Sequence, residues 1–479
     1  MRNSIKENYI YNLLYQVLIM VLPLVITPYL SRVLGAEQIG IYSFTLSILS
    51  YFVLFGCLGI NLYGQRLIAS LQDNKEKQSK IFYELFILKF IMITISFVVF
   101  AFVYFNDVNY SIYYKILTIE LFSNVFDITW FYQGLEDFKK ITIRNTIVKL
   151  TSTLLILLIV KNESDLIKYF LIYTISNFFG FLILWVNLKK YVIKVKFSKL
   201  NIVGQLKPTI SFFLPQIAIQ IYTVLDKTML GAMINDMAEV GYYEQSQKIV
   251  KTGLTLITAL GTVMVPRIAS LYAQKSYNEL DDKIFKAFKM VSFIAFPLCF
   301  GIIGIANNFV PWFFGDGFLP AVHLLIIFSF LLIAIGFNNI TGIQYLISTG
   351  KQNIFTVSVI IGAVLNFLLN LLLIPTFKAN GAAIASVLAE FLILIFQIIY
   401  LWKTFDFKKI FKENIKYLLF SLIMVIPVYL VGTFFSGGMI STIIQVIVGV
   451  VVYFILLVIF KDKILAEIFT FIKKILIRR

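Results

Sequence analysis

The sequence predicts an all-α polytopic membrane protein with about 14 transmembrane helices. Separate hydrophobic stretches, most of them about 20 residues long, follow one another from Tyr9 to Phe460, and a helix of about 20 apolar residues crosses a hydrocarbon core about 30 Å thick. The composition agrees, because 59% of the 479 residues are hydrophobic and only 14% are charged, far from the balance of a soluble domain. The predicted spans, numbered in chain order, are residues 9–30, 39–60, 81–105, 111–133, 143–160, 165–188, 207–232, 241–266, 285–309, 321–345, 354–374, 381–402, 416–435 and 440–460.

The distribution of Lys and Arg orients these spans. Most of the 42 basic residues lie in alternate connecting segments or at the span ends beside them, whereas the other connections hold only Arg32, Lys161, Lys168 and Lys378. Since basic loops are retained in the cytoplasm, we expect both termini to be cytoplasmic. The net charge of +17 then indicates contact with anionic membrane lipids, and we expect no nucleic-acid partner.

The sequence offers little for enzyme chemistry. Its two cysteines, Cys57 and Cys299, and its single histidine, His323, fall in separate spans, so they predict neither a disulfide nor a metal site. The sequence contains no GxxxxGK[ST] motif, which would bind nucleotide phosphates. The outer loops are all short, which disfavours a membrane glycosyltransferase or polymerase. We therefore expect a transporter with no catalytic residue, no cofactor and no metal.

A weak internal repeat indicates two related halves. The segment RVLGAEQIGIYS at 32–43 returns as TMLGA at 228–232 and, after an insertion, as EVGYYE at 239–244. Spans 1 and 2 therefore correspond to spans 7 and 8 in the same orientation, and parallel repeats of this kind are a transporter architecture. We predict an N-terminal six-helix bundle at 1–200, a C-terminal six-helix bundle at 201–410, two further spans in 411–460 and a basic amphipathic tail at 461–479.

Span 8 carries a stripe of polar residues. Glu244, Lys248, Lys251, Thr255 and Thr258 recur at spacings of four and three, which places them on one helical face. An ionisable group near the middle of the bilayer costs about 3 kcal/mol on insertion scales, so it is expected to face a cavity or a partner. The stripe favours a cavity wall with Lys248 and Lys251 as substrate-binding cations, although Glu244 and Lys248 could simply form an ion pair.

Span 7 shows the same spacing. Gln216, Gln220, Thr223 and Lys227 share one face, and we expect Gln216, Gln220 and Lys227 to bind substrate. Asp226 lies about 100° round the helix from Lys227 and could pair with a neighbouring helix.

Acidic residues inside the spans have two interpretations. Glu120, Asp127, Asp226 and Glu390 are either ion-coupling sites, for a proton or sodium, or counter-ions to intramembrane lysines such as Lys89. The sequence leaves both interpretations open for Glu120 and Glu390. For Asp127 we favour the structural role.

Five segments in order carry a family resemblance: SRVLGAEQIGIYS at 31–43, LDKTMLG at 225–231, VGYYE at 240–244, VPRIAS at 265–270, and NLLLIP at 370–375 followed by NGAAIA at 380–385. Together they resemble the polysaccharide repeat-unit (O-antigen/capsule, Wzx-type) flippases of the MATE-like flippase superfamily. The resemblance implies two six-helix bundles that form a V around a central cavity. By motif match it also implies a cavity-lining role for Arg32, Asp226 and Lys227.

The resemblance further implies a substrate, an oligosaccharide linked to undecaprenyl pyrophosphate. A flippase of this kind moves it across the bacterial cytoplasmic (inner) membrane by alternating access for surface-polysaccharide biosynthesis, with a polymerase and other glycan-assembly proteins as partners. Clustered lysines independently suit a pyrophosphate, to which they can form charge-assisted hydrogen bonds. Two alternatives remain: a MATE-like multidrug or cation antiporter, which should have an acid-dominated cavity, and a lipid-linked glycosyltransferase or polymerase.

Overall fold

The computed structural model describes residues 5–71, 74–435, 437–467 and 469–470. It describes only the backbone of residues 5–17, 215, 218–219, 221–222, 260 and 262–263. Every regular element in these residues is helical, and ten helical segments among them are long and apolar enough to cross a membrane. The predicted class, an all-α polytopic membrane protein, is confirmed.

The chain divides into two compact units, Met1–Gly241 and Tyr242–Arg479. The first unit contains α1 (Ile5–Cys57), α2 (Ile60–Ser70), α3 (Lys75–Tyr104), α4 (Ser111–Ser123), α5 (Thr129–Gly134), α6 (Phe138–Ile159), α7 (Leu166–Trp185), α8 (Leu206–Met233) and the first residues of α9 (Met237–Ala273). The second unit contains the rest of α9, α10 (Tyr277–Phe314), α11 (Ala321–Asn338) with a π-helical extension (Asn339–Ile347), α12 (Gln352–Leu401), α13 (Phe407–Phe434) and α14 (Met439–Ile459).

Two helices are long enough to cross a membrane twice. With 53 and 50 residues, α1 and α12 each exceed twice the thickness of a hydrocarbon core at about 1.5 Å per residue. The backbone leaves the helical region at Gly35 (φ 74°, ψ 173°) in α1 and at Lys378 (φ 51°, ψ −129°) in α12. These breaks fall between predicted spans 1 and 2 and between predicted spans 11 and 12, so each long helix contains two predicted spans.

The prediction of one continuous span at 111–133 is wrong in detail. α4 ends at Ser123, a 3-10 turn follows at Asn124–Phe126, and α5 begins only at Thr129. Side chains compete with the helical hydrogen bonds here: Asn124 Nδ2 donates to Glu120 O (2.8 Å) and the Thr129 N–H donates to Asp127 Oδ1 (3.0 Å). The interruption places Asn124 and Asp127 beside the membrane-buried part of α3.

The helix α8 belongs to the first unit. The left-handed residue Gly59 lies against the α8 backbone, where an added Cβ would meet Thr209 O at 2.6 Å, and the Phe55 and Phe213 rings meet edge to face at 5.3 Å. The buried Glu84 of α3 accepts hydrogen bonds from Asn201 N (2.7 Å) and Gln205 Nε2 (2.6 Å), just before α8. The compact units divide at Gly241, and this division does not test the predicted bundle boundary at residue 200, which stays a prediction.

The internal repeat coincides with a close helix crossing inside the first unit. A Cβ on Gly40 would lie 1.7 Å from Met237 O, and a Cβ on Gly241 would lie 2.0 Å from Ala36 O. Gly40 and Gly241 hold equivalent positions in the repeat, so the approach of the two backbones is reciprocal. Only a residue without a side chain allows backbones to come this close.

The last helices enclose a small core with α10. It comprises Tyr417, Phe420, Met424, Val428, Tyr453, Leu457, Ile464 and Leu465. Asp462 pairs with Lys416, accepts a hydrogen bond from Tyr417 Oη (2.9 Å), and caps the segment that carries Ile464 and Leu465. The start of the predicted amphipathic tail therefore buries apolar side chains in protein, while residues 471–479 lie outside the described residues.

We expect Gly40→Val to destabilise the protein by about 3 kcal/mol or more, beyond ordinary overpacking, because the clashing carbonyl belongs to a backbone that cannot rotate away. Gly317→Val is the matched control, since an added Cβ there meets nothing within 4 Å. The effect is measured as the midpoint of thermal unfolding in detergent, with size-exclusion chromatography used to monitor the folded protein. Equal midpoints for the two variants would contradict the close crossing.

Candidate functional site

A cavity of about 380 Å³ lies within the first unit, between α1, α2, α4, α7 and α8. It is lined by Leu46, Leu49, Ser50, Val53, Leu54, Cys57, Asn61, Glu120, Asn124, Tyr173, Gln216 and Gln220. One wall is apolar and comes from α1. The other walls carry amides, hydroxyls and a carboxylate.

This lining suits a ligand rich in hydroxyl groups. Each carboxamide, at Asn61, Asn124, Gln216 and Gln220, both donates and accepts hydrogen bonds, as does the Tyr173 hydroxyl. A sugar hydroxyl also does both, so such walls can bond to sugars in many orientations. The apolar wall of α1 can contact the C–H faces of a sugar ring.

Three of the sequence-predicted residues meet in this cavity. Gln216 and Gln220 lie one turn apart on α8, as their spacing predicts, and Glu120 joins them from α4. Gln216 also donates from Nε2 to Phe212 O (3.0 Å). The helix α8 corresponds to predicted span 7, so two residues of the polar face predicted for span 7 line this cavity.

Glu120 is held by a neutral partner. Its side chain is 9% exposed, and Asn177 Nδ2 on α7 donates to Oε1 (3.2 Å) and Oε2 (3.1 Å). Tyr173, one turn earlier on α7, lines the same cavity. The carboxylate is therefore fixed in position by an amide while its residue borders the cavity.

Asp127 is bonded in a different way. Its Oδ1 accepts from the Thr129 N–H at the start of α5, while its main-chain oxygen accepts from Lys89 Nζ (3.0 Å). The buried Lys89 also donates to Asn61 Oδ1 (3.2 Å), and Asn61 lines the cavity. Asp127 thus organises the turn after α4, and Lys89 connects that turn to a cavity-lining amide.

The other charged residues predicted for the site are divided between the units. Arg32 lies on α1 before the Gly35 break, and Asp226 and Lys227 lie on α8, all in the first unit. Lys248 and Lys251 lie on α9 in the second unit.

The second unit contains a chain of polar side chains that starts at Lys251. Lys251 Nζ donates to Gln247 Oε1 (2.8 Å), Gln247 Nε2 donates to Tyr243 Oη (3.4 Å), and Tyr243 Oη lies 3.1 Å from Ser386 Oγ. Ser386 is one turn before Glu390 on α12. Lys251, which belongs to the polar stripe of span 8, is thereby linked to α12, the helix that carries the buried Glu390.

Glu390 has the same kind of partner as Glu120. Asn338 Nδ2, at the end of α11, donates to Glu390 Oε2 (2.6 Å) and to Glu390 O (3.0 Å). The π-helical extension begins at the next residue, and such extensions often occur at functional sites. Among the described residues, each unit therefore contains a buried glutamate that accepts from the side-chain amide of an asparagine.

Sequence reasoning did not identify Asn61, Asn124, Tyr173, Asn177 and Asn338 as site residues. The available signal was an amide inside an apolar span, which is expected to need a partner. The pairing itself could not be inferred, because Asn177 and Glu120 are 57 residues apart on different helices.

Two family models each match more than half of this chain. A family model described as "Polysaccharide biosynthesis protein" matches residues 5–272, and one described as "Lipid II flippase MurJ" matches residues 152–459. A putative O-antigen transporter from Escherichia coli (strain K12) is 27% identical over 397 residues, covering 81% of this chain and 95% of that protein.

Solved structures show the same fold. Lipid II flippase MurJ in an inward closed conformation has a TM-score of 0.74 at 17% identity, with 95% of this chain and 99% of that chain covered. An inward-facing multidrug resistance MATE family transporter has a TM-score of 0.61 at 13% identity, with 83% and 95% covered. At these identities the likeness concerns the fold alone. The matching family model and the putative O-antigen transporter confirm the predicted resemblance to polysaccharide repeat-unit flippases, and the chain belongs to the polysaccharide biosynthesis protein family.

Proposed function

We propose that the protein is a flippase that moves oligosaccharide repeat units linked to undecaprenyl pyrophosphate across the cytoplasmic membrane by alternating access. The observation that carries this proposal is the amide- and hydroxyl-lined cavity of the first unit, which suits sugar hydroxyls. The family and the putative O-antigen transporter among the relatives support it. The product would pass to a polymerase and other glycan-assembly proteins for surface-polysaccharide biosynthesis.

The two parts of the substrate would use different residues. Gln216, Gln220 and their neighbours in the cavity would bind sugar hydroxyls. The pyrophosphate would be bound by Arg32, Lys227, Lys248 and Lys251. Lys251 is exposed, and its ammonium group donates to Gln247 Oε1.

Glu120 and Glu390 are the proposed coupling acids. Each is a buried carboxyl group that accepts a hydrogen bond from an asparagine amide of another helix, so a change in its protonation would change a contact between two helices. Asp127 would be structural, and Asp226 a counter-ion on α8. The membrane potential would add a driving force of about 2.3 kcal/mol for each negative charge moved outward per 100 mV.

A MATE-like cation antiporter is the second candidate, because such transporters share the fold and Glu120 borders the cavity. The rest of the polar lining consists of neutral groups, however. An organic cation would be expected to require more acidic groups than this.

We predict that Lys227→Ala, Lys248→Ala or Lys251→Ala abolishes surface polysaccharide, because each removes a charge-assisted bond to the pyrophosphate. The measurement is polymer on cells that lack the chromosomal copy of the gene, with the amount of protein in the membrane determined in parallel. Lys→Arg variants should be milder, since they keep the charge.

Lys115→Ala, on the exposed face of α4, is the matched control and should leave polymer unchanged. Wild-type polymer in all three Lys→Ala variants at native expression would refute the pyrophosphate assignment.

We predict that Glu120→Gln or Glu390→Gln, whichever is the coupling acid, removes the dependence of flipping on a pH or sodium gradient in proteoliposomes while substrate binding is retained. Asp127→Asn is the control, because an asparagine oxygen can still accept from the Thr129 N–H, and it should keep the gradient dependence. If both glutamine variants remain gradient-dependent, neither glutamate couples transport to an ion. If the glutamine variants instead give less folded protein, and the flipping that remains follows the membrane potential alone, Glu120 and Glu390 are structural residues.

For the orientation, we propose cytoplasmic termini on the basis of the Lys and Arg distribution. In intact cells, a cysteine at Lys194 should be shielded from an impermeant thiol reagent, whereas one at Asp316 should react. The native Cys57 and Cys299 are buried and should give little background. Labelling at Lys194 without labelling at Asp316 would reverse the topology.

A further inference from the structure

The second unit contains an apolar crevice separate from every residue assigned above. It lies between α10, α11, the end of α12 and the first turns of α13, and has a volume of about 370 Å³, within the range of small-molecule sites. Phe288, Phe296, Phe337, Phe407 and Leu418 are among its walls. These apolar side chains can pack against a hydrocarbon chain but provide no hydrogen bond to a polar molecule.

Aromatic rings fix the shape of the crevice. Trp402 stacks on Phe407 with centroids 5.8 Å apart, and Phe288 packs against Phe337 at 5.7 Å. Trp402 and Phe411 are 52% and 68% exposed. Tryptophan is enriched at the level of lipid headgroups, so this end of the crevice is expected to open at a membrane surface.

One polar side chain in the crevice lacks a partner. Asn414 is only 6% exposed and lines the crevice. Its Nδ2 donates to Ile410 O (2.8 Å), but its buried Oδ1 accepts no hydrogen bond from the described residues. A buried acceptor without a partner is unfavourable, so Asn414 points to a ligand that brings a polar group into an otherwise apolar site.

A basic residue, Lys408, lines the same crevice and precedes Asn414 on α13. Lys408 is exposed, and about 9 Å of helix separates it from Asn414. The ion pairs of the described residues do not include Lys408. The nearby Asp406 accepts a hydrogen bond from the Lys409 N–H at the start of α13. The crevice thus combines a cation, a buried amide and a hydrocarbon-like interior in that order along α13.

We propose that this crevice binds an anionic phospholipid, with the phosphate on Lys408, the glycerol-ester region at Asn414 and one acyl chain against the aromatic walls as far as Leu418. The second N–H of Asn414 can donate to an ester carbonyl. A water carried with the ester can donate to Oδ1 and complete the hydrogen bonding of the amide. The order of groups along a phospholipid matches the order of Lys408, Asn414 and Leu418 on the helix.

The native Trp402 provides a probe. The full-length protein is reconstituted into phosphatidylcholine bilayers that contain a minor fraction of phosphatidylglycerol, with brominated acyl chains placed on one lipid or the other. The signal of a Trp402→Phe variant is subtracted, so that the difference reports only Trp402. We expect phosphatidylglycerol to quench Trp402 about fivefold more than its mole fraction predicts, as one lysine near an anionic lipid would give.

Lys408→Ala should reduce this preference to the level of the mole fraction. Lys412→Ala, exposed on the same helix but outside the crevice, should leave it intact. Asn414→Leu should weaken the binding of both phospholipids without changing the preference for phosphatidylglycerol over phosphatidylcholine.

Quenching in proportion to mole fraction for both lipids, or an equal response to Lys408→Ala and Lys412→Ala, would overturn the proposal. Displacement by undecaprenyl phosphate, but not by unbrominated phosphatidylglycerol, would assign the crevice to an isoprenoid instead and would also overturn it.

Discussion

Polar groups inside a bilayer have no water to bond with, so each must find a partner in the protein or border a cavity. In the first unit this constraint separates two kinds of residue. Lys89 donates to the main-chain oxygen of Asp127, and the Asp127 side chain accepts from the Thr129 N–H, which is a structural role. Glu120 is bonded to Asn177 and also borders a cavity. Glu120 is therefore a deep carboxylate with access to a ligand.

The fold could be predicted because hydrophobic length is a strong signal. A helix is the only element that can satisfy its own backbone across a membrane, so apolar stretches had to be helical. The breaks at Gly35 and Lys378 coincide with predicted turns. The break after Ser123 could not be predicted, because one of the bonds that hold it comes from Lys89, a residue of another helix.

The sequence predicted Glu120, Gln216 and Gln220 as site residues, but it predicted a shared wall only for the two glutamines, which lie on one helix. Spacing placed Gln216 and Gln220 on one face of α8, and both line the cavity. Asn61 and Tyr173 come from other helices, and only folding brings them to the same cavity. The repeat was more informative than its short match suggested, because its two equivalent glycines meet in one close crossing.

The central claim is that the polar cavity serves a lipid-linked oligosaccharide and not an organic cation. The most direct measurement uses purified protein in vesicles that carry undecaprenyl-pyrophosphate-linked oligosaccharide, with exposure of the sugar followed by an impermeant glycosidase, and the uptake of a cationic dye measured in parallel. The account predicts protein-dependent exposure of the oligosaccharide, and loss of that exposure in a Gln216→Ala, Gln220→Ala double variant, without dye uptake. Dye uptake without exposure of the oligosaccharide would contradict it.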